Sequence, residues 1–163
     1  PKYFPNAGLY GADVLIFDRE AAVPLDQKQE ARILVRRGLE AIDPGRSEIA
    51  VRLNPLPMAR DDWAEISGAP VQLVLVPKVE SGQQVAEVAQ MLEGTATLIL
   101  PIIESARGAL AAPEIAAASD RVIGLAIGME DYTTDLGVTR STDEQEAWWL
   151  YGQIVNADRK SVG

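Results

Sequence analysis

The chain has 163 residues, 47% hydrophobic and 24% charged, with 15 Lys plus Arg against 24 Asp plus Glu, a net charge of −9. That is ordinary globular usage for about one domain; it excludes a disordered chain, and the acidic balance argues against nucleic acid and anionic membrane as partners. There is no Cys and no His, which removes disulfides, thiolate nucleophiles, Cys-based metal sites, Ser–His–Asp catalysis and any imidazole base.

Short apolar strands alternate with polar helices along the chain. Pro1–Tyr10 reads as the tail of a helix. A strand is expected over Asp13–Asp18 (DVLIFD), then a helix over Leu25–Ile42, with Ala31, Leu34, Val35, Leu39 and Ile42 at helical spacing. The second strand, Glu48–Leu53 (EIAVRL), leads to a short helix, Asp61–Ser67, with Asp61 or Asp62 as its N-cap. Val71–Val76 (VQLVLV) is the third strand, and Ser81 is placed to cap a helix over Gly82–Leu92. Thr97–Ile103 (TLILPII) precedes a short helix, Pro113–Ala118, with Pro at its first position. Arg121–Ile127 (RVIGLAI) is the fifth strand, and Thr142–Lys160 is a long helix opening on S-T-D-E, a capping-box pattern.

The strands are nearly continuous runs of Val, Ile and Leu, as in parallel strands buried on both faces. Their spacing of ~23 to 35 residues matches βα units. The fold class is therefore α/β with a parallel sheet. A doubly wound open sheet and part of a (β/α)8 barrel both remain, since a whole barrel typically needs ~250 residues. No apolar run approaches the ~20 residues that span a bilayer, and no basic-then-apolar leader opens the chain. A cytoplasmic protein is expected, and Pro1 without a Met suits a processed or trimmed chain.

The strand ends carry the informative residues: Asp18-Arg19-Glu20, Arg52-Leu53-Asn54-Pro55, Lys78-Val79-Glu80-Ser81, Glu104-Ser105-Ala106-Arg107 and Gly128-Met129-Glu130-Asp131. Parallel α/β folds bind ligands at the C-terminal ends of their strands. Glu104 and Asp131 follow neighbouring strands with no basic residue immediately beside either in sequence. Two such carboxylates repel unless a cation or a shared proton lies between them. With only oxygen donors, that cation is expected to be hard, most simply Mg²⁺. The phosphate loop G-x-x-x-x-G-K and a G-x-G-x-x-G turn after a strand are both absent.

The segments GADVLIFDREAAVPLDQKQEAR, VRLNP, LVLVPKVESGQQV, PIIESARGALAAPEIAAASDRV and GLAIGMEDYTTDLG resemble the citrate lyase beta-subunit branch of the HpcH/HpaI aldolase and citrate lyase superfamily. The resemblance implies a (β/α)8 TIM barrel, incomplete over residues 1–163 as a single partial domain of about five βα units lacking the first strand and the last two. It implies a Mg²⁺-dependent carbon–carbon lyase acting on a 3-hydroxyacyl thioester of coenzyme A or an acyl carrier, such as citryl-CoA or malyl-CoA, through a thioester enolate. The alternatives are a metal-dependent aldolase of small keto acids without a thioester, and a degenerate non-catalytic subunit. The pyruvate-aldolase branch uses a His base, which this chain lacks.

By the same resemblance Glu104 and Asp131 are the metal carboxylates, and Arg52 binds the substrate oxygen and stabilises the enolate. Lys78 and Glu80 fall in the family's PKVES pattern, Lys78 on the substrate. Asp18 and Glu20 match the first acids of D-L-E-D-A-V and are expected at the substrate, while the backbone at Gly128, Met129 and Glu130, up to Asp131, receives a carboxylate. A homotrimer, or a multiple of one, is implied. Ala21 stands where the pattern has an acid, and Arg19 where it has an apolar residue. Arg19 either neutralises the cluster, contacts a phosphate or is a neutral change. The blander expectations are Trp148 and Trp149 as core or interface aromatics, Tyr132 as packing, Arg107 in an ion pair, Gly108, Gly128 and Gly137 as turn residues, and Glu30, Arg32, Arg36 and Arg37 as solvated helix charges.

Overall fold

The computed structural model describes residues 4–21 and 23–158, and the chain divides into two compact units, Pro1–Leu75 and Val76–Gly163. Of the predicted segments, Pro1–Tyr3, Ala22 and the last residues of the final helix, Lys160 included, lie outside the described residues. Phe4–Tyr10 forms a 3-10 helix.

In the first unit β1 (Val14–Asp18), β2 (Glu48–Arg52) and β3 (Leu73–Val76, its last residue past the boundary) pair in parallel. Phe17 faces Val51 and Asp18 faces Arg52, so the register sets the two charged strand ends side by side. Ile49, Ala50, Val51 and all of β3 are buried, as continuous apolar strands require. A 3-10 turn, Leu25–Gln27, leads into α1 (Lys28–Ala41), which packs on α2 (Ala59–Ile66) through buried faces that include Val35, Leu39, Trp63 and Ile66. Ile16 of β1 and Leu34 of α1 stay exposed beside a cavity of about 440 Å³ that Phe17, Val23 and Val35 also line.

Neither Asp61 nor Asp62 is the N-cap of α2. The helix starts after Met58 with no side-chain cap, and both aspartates lie in its first turn. Asp62 is instead drawn inward to a set of buried donors described below.

In the second unit β4 (Leu98–Ile103) pairs in parallel with β5 (Ala126–Ile127). The fifth strand is shorter than expected. Its earlier part touches β4 only through a bridge between Val122 and Ile99, and Gly124 interrupts the run with no side chain to pack. α3 (Gly82–Met91) starts at the predicted cap, where Ser81 Oγ accepts from Gln84 N at 3.4 Å. α4 (Ala106–Ala116) is longer than expected and carries Pro113 in its interior. The missing N–H is tolerated because Ala109, Ala112, Ile115 and Ala116 bury one face, and α4 packs on α6 (Trp148–Asp158).

α5 (Met129–Leu136) is a helix that the sequence reading does not place; it ends at Gly137, whose φ of +69° is the left-handed conformation suited to glycine. The capping box at Ser141–Glu144 does not open a helix. Glu144 has a φ of +52°, which stops helical continuation, and Ser141 donates to Glu146 instead. Trp148 and Trp149 are more than half exposed, so they are not core; Leu150, Ile154 and Ala157 bury the face of α6. Among the described residues no helix is long and apolar enough to cross a membrane.

Candidate active site

The second unit holds a cavity of about 280 Å³ lined by Lys78, Glu80, Glu104, Ser105, Asp131, Thr134 and Asp135. Glu104 leaves the end of β4 and is 6% exposed. Its position depends on Gly128: a Cβ there would lie 2.6 Å from Glu104 Cγ and 2.8 Å from Oε1. The missing side chain makes room for the carboxylate, so Gly128 is more than a turn residue. Asp131 sits in the first turn of α5, half exposed, with Lys78 Nζ 3.8 Å from its carboxylate. The sequence therefore missed a basic partner that chain folding supplies from the end of β3, two strands earlier.

The cavity wall is tied together by hydrogen bonds. Ser105 Oγ caps α4 by accepting from Gly108 N at 3.1 Å and donates to Glu80 Oε1 at 2.8 Å. Asp135 of α5 accepts from Ala106 N at 2.8 Å. A carboxylate at a helix N-terminus meets N–H groups that lack intrahelical partners. Arg107 pairs loosely with Glu80 at 4.0 Å, as expected of an ion pair. Tyr132 is buried, and burial, with the nearby Asp135 charge second, pushes its hydroxyl pKa upward; it packs.

Gly128 N donates to Ile103 O at 3.0 Å, so its amide is committed to the sheet. Met129, Glu130 and Asp131 start α5, where N–H groups point out of the helix and favour an anion. The Glu130 side chain turns to Arg140 Nη1 at 2.8 Å.

The first unit gathers the remaining predicted residues. Arg52, at the end of β2, donates to both oxygens of Asp18, from Nε at 2.8 Å and Nη2 at 2.5 Å, and its Nη1 lies 3.5 Å from Glu20. Asp18 and Glu20 thus orient a guanidinium. Lys28, buried, donates to the carbonyls of Arg19 and Glu20 at 2.8 and 2.6 Å, fixing the chain after β1.

Behind this rim lies a hub that sequence reasoning did not find. Asp62, fully buried, accepts from Asn54 N and Nδ2 at 2.7 Å each and from Arg32 Nε at 2.9 Å, and pairs with Arg19 Nη2 at 3.2 Å. Arg19 also donates to Asp62 O at 2.8 Å. Arg19 therefore points into the fold and neither neutralises the rim carboxylates nor meets a phosphate. Arg32 is a partner of Asp62 rather than a solvated charge. Burial lowers the Arg19 pKa, and Asp62 opposes that shift. The only sequence signal was a charged pair of unlike sign, Arg19 and Asp62, 43 residues apart, which periodicity cannot detect.

Among the described residues no group of three or more His, Cys, Asp or Glu side chains forms a ready cation cage. Two carboxylates on one cavity, one held against a glycine, do suit Mg²⁺, which is usually bound through one or two carboxylates with water and substrate oxygens. Gly128→Ala is expected to push Glu104 aside and weaken Mn²⁺ binding about ten- to a hundredfold with the fold retained. Titration of the Mn²⁺ paramagnetic resonance signal checks this; unchanged affinity would show that Glu104 does not need the space.

The model of the HpcH/HpaI aldolase/citrate lyase family matches residues 1–162. The chain is 39% identical over 171 aligned residues to the citrate lyase subunit beta of Leuconostoc mesenteroides subsp. cremoris, covering 98% of the chain and 56% of that protein; the chain thus spans just over half that relative's length. The structure of the citrate lyase beta subunit from Mycobacterium tuberculosis superposes with a TM-score of 0.81 at 32% identity, over 99% of this chain and 70% of that one. The M. tuberculosis protein CitE in complex with magnesium, acetoacetate and coenzyme A superposes at 0.77, also at 32% identity, over 94% of this chain and 56% of that one.

Proposed function

Because the chain belongs to the HpcH/HpaI aldolase and citrate lyase family, we propose that its protein is a Mg²⁺-dependent carbon–carbon lyase that cleaves or forms a 3-hydroxyacyl thioester such as citryl-CoA or malyl-CoA. The observation that carries this reading is that Glu104 and Asp131 line one cavity, with Glu104 seated against Gly128. A bound Mg²⁺ supplies Lewis-acid polarisation of substrate oxygens. Glu104 and Asp131 hold it, and the first turn of α5 at Met129 and Glu130 receives a substrate carboxylate. As the substrate hydroxyl gives up its proton to solvent and becomes a carbonyl, the carbon–carbon bond breaks and its electron pair passes to the carbon next to the thioester carbonyl; Arg52 stabilises the resulting enolate oxygen until a solvent proton returns to that carbon. Asp18 and Glu20 pre-orient that guanidinium, which limits reorganisation during the reaction. Lys78 lies on the same cavity as the two carboxylates and meets the substrate.

The same reading takes residues 1–163 as part of one (β/α)8 barrel without its first strand and its last two. The parallel βα units support it, as do the exposed Ile16 and Leu34, which a further βα unit would cover. It also takes the protein as a trimer or a multiple of one, and as cytoplasmic, where coenzyme A thioesters are handled. The test measures cleavage of malyl-CoA and citryl-CoA by the full chain with Mg²⁺ and with excess chelator. Turnover should require Mg²⁺ and be inhibited by free coenzyme A. Cleavage of free keto acids, insensitive to coenzyme A, would instead identify an aldolase. Ala21, where the family pattern has an acid, favours a second reading as a non-catalytic subunit; coupled calorimetric binding of Mg²⁺ and oxaloacetate would count against it.

A further inference from the structure

Lys78 has a backbone that few side chains adopt. Its φ is +55°, in the left-handed region uncommon for any residue but glycine. The segment around it is clamped: Pro77 and Val79 are buried, Val79 N reaches Ile102 O, and Val79 O lies 2.5 Å from where a Cβ on Gly108 would stand. Held on both sides, the chain at Lys78 turns its side chain out to the cavity wall that also carries Glu104 and Asp131. The ammonium stops 3.8 Å from Asp131 Oδ2, with both side chains half exposed. That is farther than a hydrogen bond and close enough for Coulomb attraction. Such a pair is weak and easily exchanged for another partner.

Resting on the metal reading above, we propose that Lys78 is a positioning charge that couples metal binding to anionic-ligand binding. Without ligand its ammonium neutralises Asp131 and competes with the metal for that carboxylate. With a carboxylate ligand seated at the metal, the ammonium pairs with the ligand instead and its competition ends. Each of metal and ligand then strengthens the other, and the coupling is reciprocal.

The test follows Mn²⁺ binding by its paramagnetic resonance signal in the full chain, with and without acetoacetate, for wild type, Lys78→Gln, Lys78→Arg and Glu104→Gln. Lys78→Gln should tighten Mn²⁺ binding without ligand by about two- to fivefold and reduce the gain that acetoacetate brings. Lys78→Arg, which keeps the charge, should stay near wild type. If Lys78→Gln fails to tighten Mn²⁺, if it leaves the acetoacetate gain unchanged, or if both Lys78 variants behave alike, the proposal is overturned while Glu104-dependent binding keeps the metal reading intact. If Mn²⁺ binding is the same in wild type and Glu104→Gln, the metal reading falls and takes the proposal with it.

Discussion

Glu104→Gln is expected to lower kcat/KM for thioester cleavage by about a thousandfold, ~4 kcal/mol of transition-state stabilisation, without lowering the thermal midpoint. The substitution keeps the size of the side chain seated against Gly128 and removes only its charge. A carboxylate that is 6% exposed, on a cavity that holds three other acids, Glu80, Asp131 and Asp135, against one cation, Lys78, costs free energy to desolvate and to set among an excess of like charge. Removing that charge relieves the fold while depriving the metal of an anionic oxygen. The signature is therefore loss of activity with stability unchanged or raised. Steady-state kinetics with Mg²⁺ titration, beside thermal unfolding of the same variant, checks it. Full turnover would remove Glu104 from the metal site, and a fall in stability of several degrees would make it a structural residue.

Asp62→Ala is expected to have the opposite signature, a loss of about 3–5 kcal/mol of folding stability. Asp62 offsets the buried charge of Arg19, which is 1% exposed, meets Arg32, and accepts both donors of Asn54. Truncation leaves two guanidinium groups and two N–H donors facing an apolar gap. Arg32 can turn to Asp61, already 3.5 Å away, but Arg19 has no route to water from its position. A cycle comparing Arg19→Leu, Asp62→Leu and the double variant by urea unfolding should show strong coupling, with the double variant more stable than Asp62→Leu alone. Because the network is buried, added salt should change these values little, unlike the exposed pairs of Arg36 with Glu40 and Glu65. Additive effects would mean that Arg19 and Asp62 do not depend on each other.

The two variants separate two kinds of acidic residue that look alike in the sequence. Glu104 ends an apolar strand in a recognisable IIESARG context, so its role could be proposed before any geometry. Asp62 sits in a short polar helix next to Asp61, where a cap is the natural reading. Its real partners come from just past the ends of β1 and β2 and from α1, and no local pattern announces them. For the same reason Arg32 reads as a surface charge at helical spacing, although its guanidinium is turned toward a buried carboxylate.

The sequence by itself determined the α/β class, the parallel strands and the strand ends that carry Arg52, Lys78, Glu104 and Asp131, because runs of Val, Ile and Leu with βα spacing can be buried in few ways and because strand ends have one place to go. Its motifs carried the family. Tertiary structure alone decided which charges meet: Asp18 and Glu20 on Arg52, Lys78 beside Asp131, and Arg19 and Arg32 on Asp62. It also decided that Met129–Leu136 is a helix, that Pro113 lies within one and that Gly128 makes room for Glu104. The physical reason is the same throughout. Apolar burial is a periodic, local signal along the chain, whereas a charge takes whichever partner the folded chain brings within a few ångströms, at any separation in sequence.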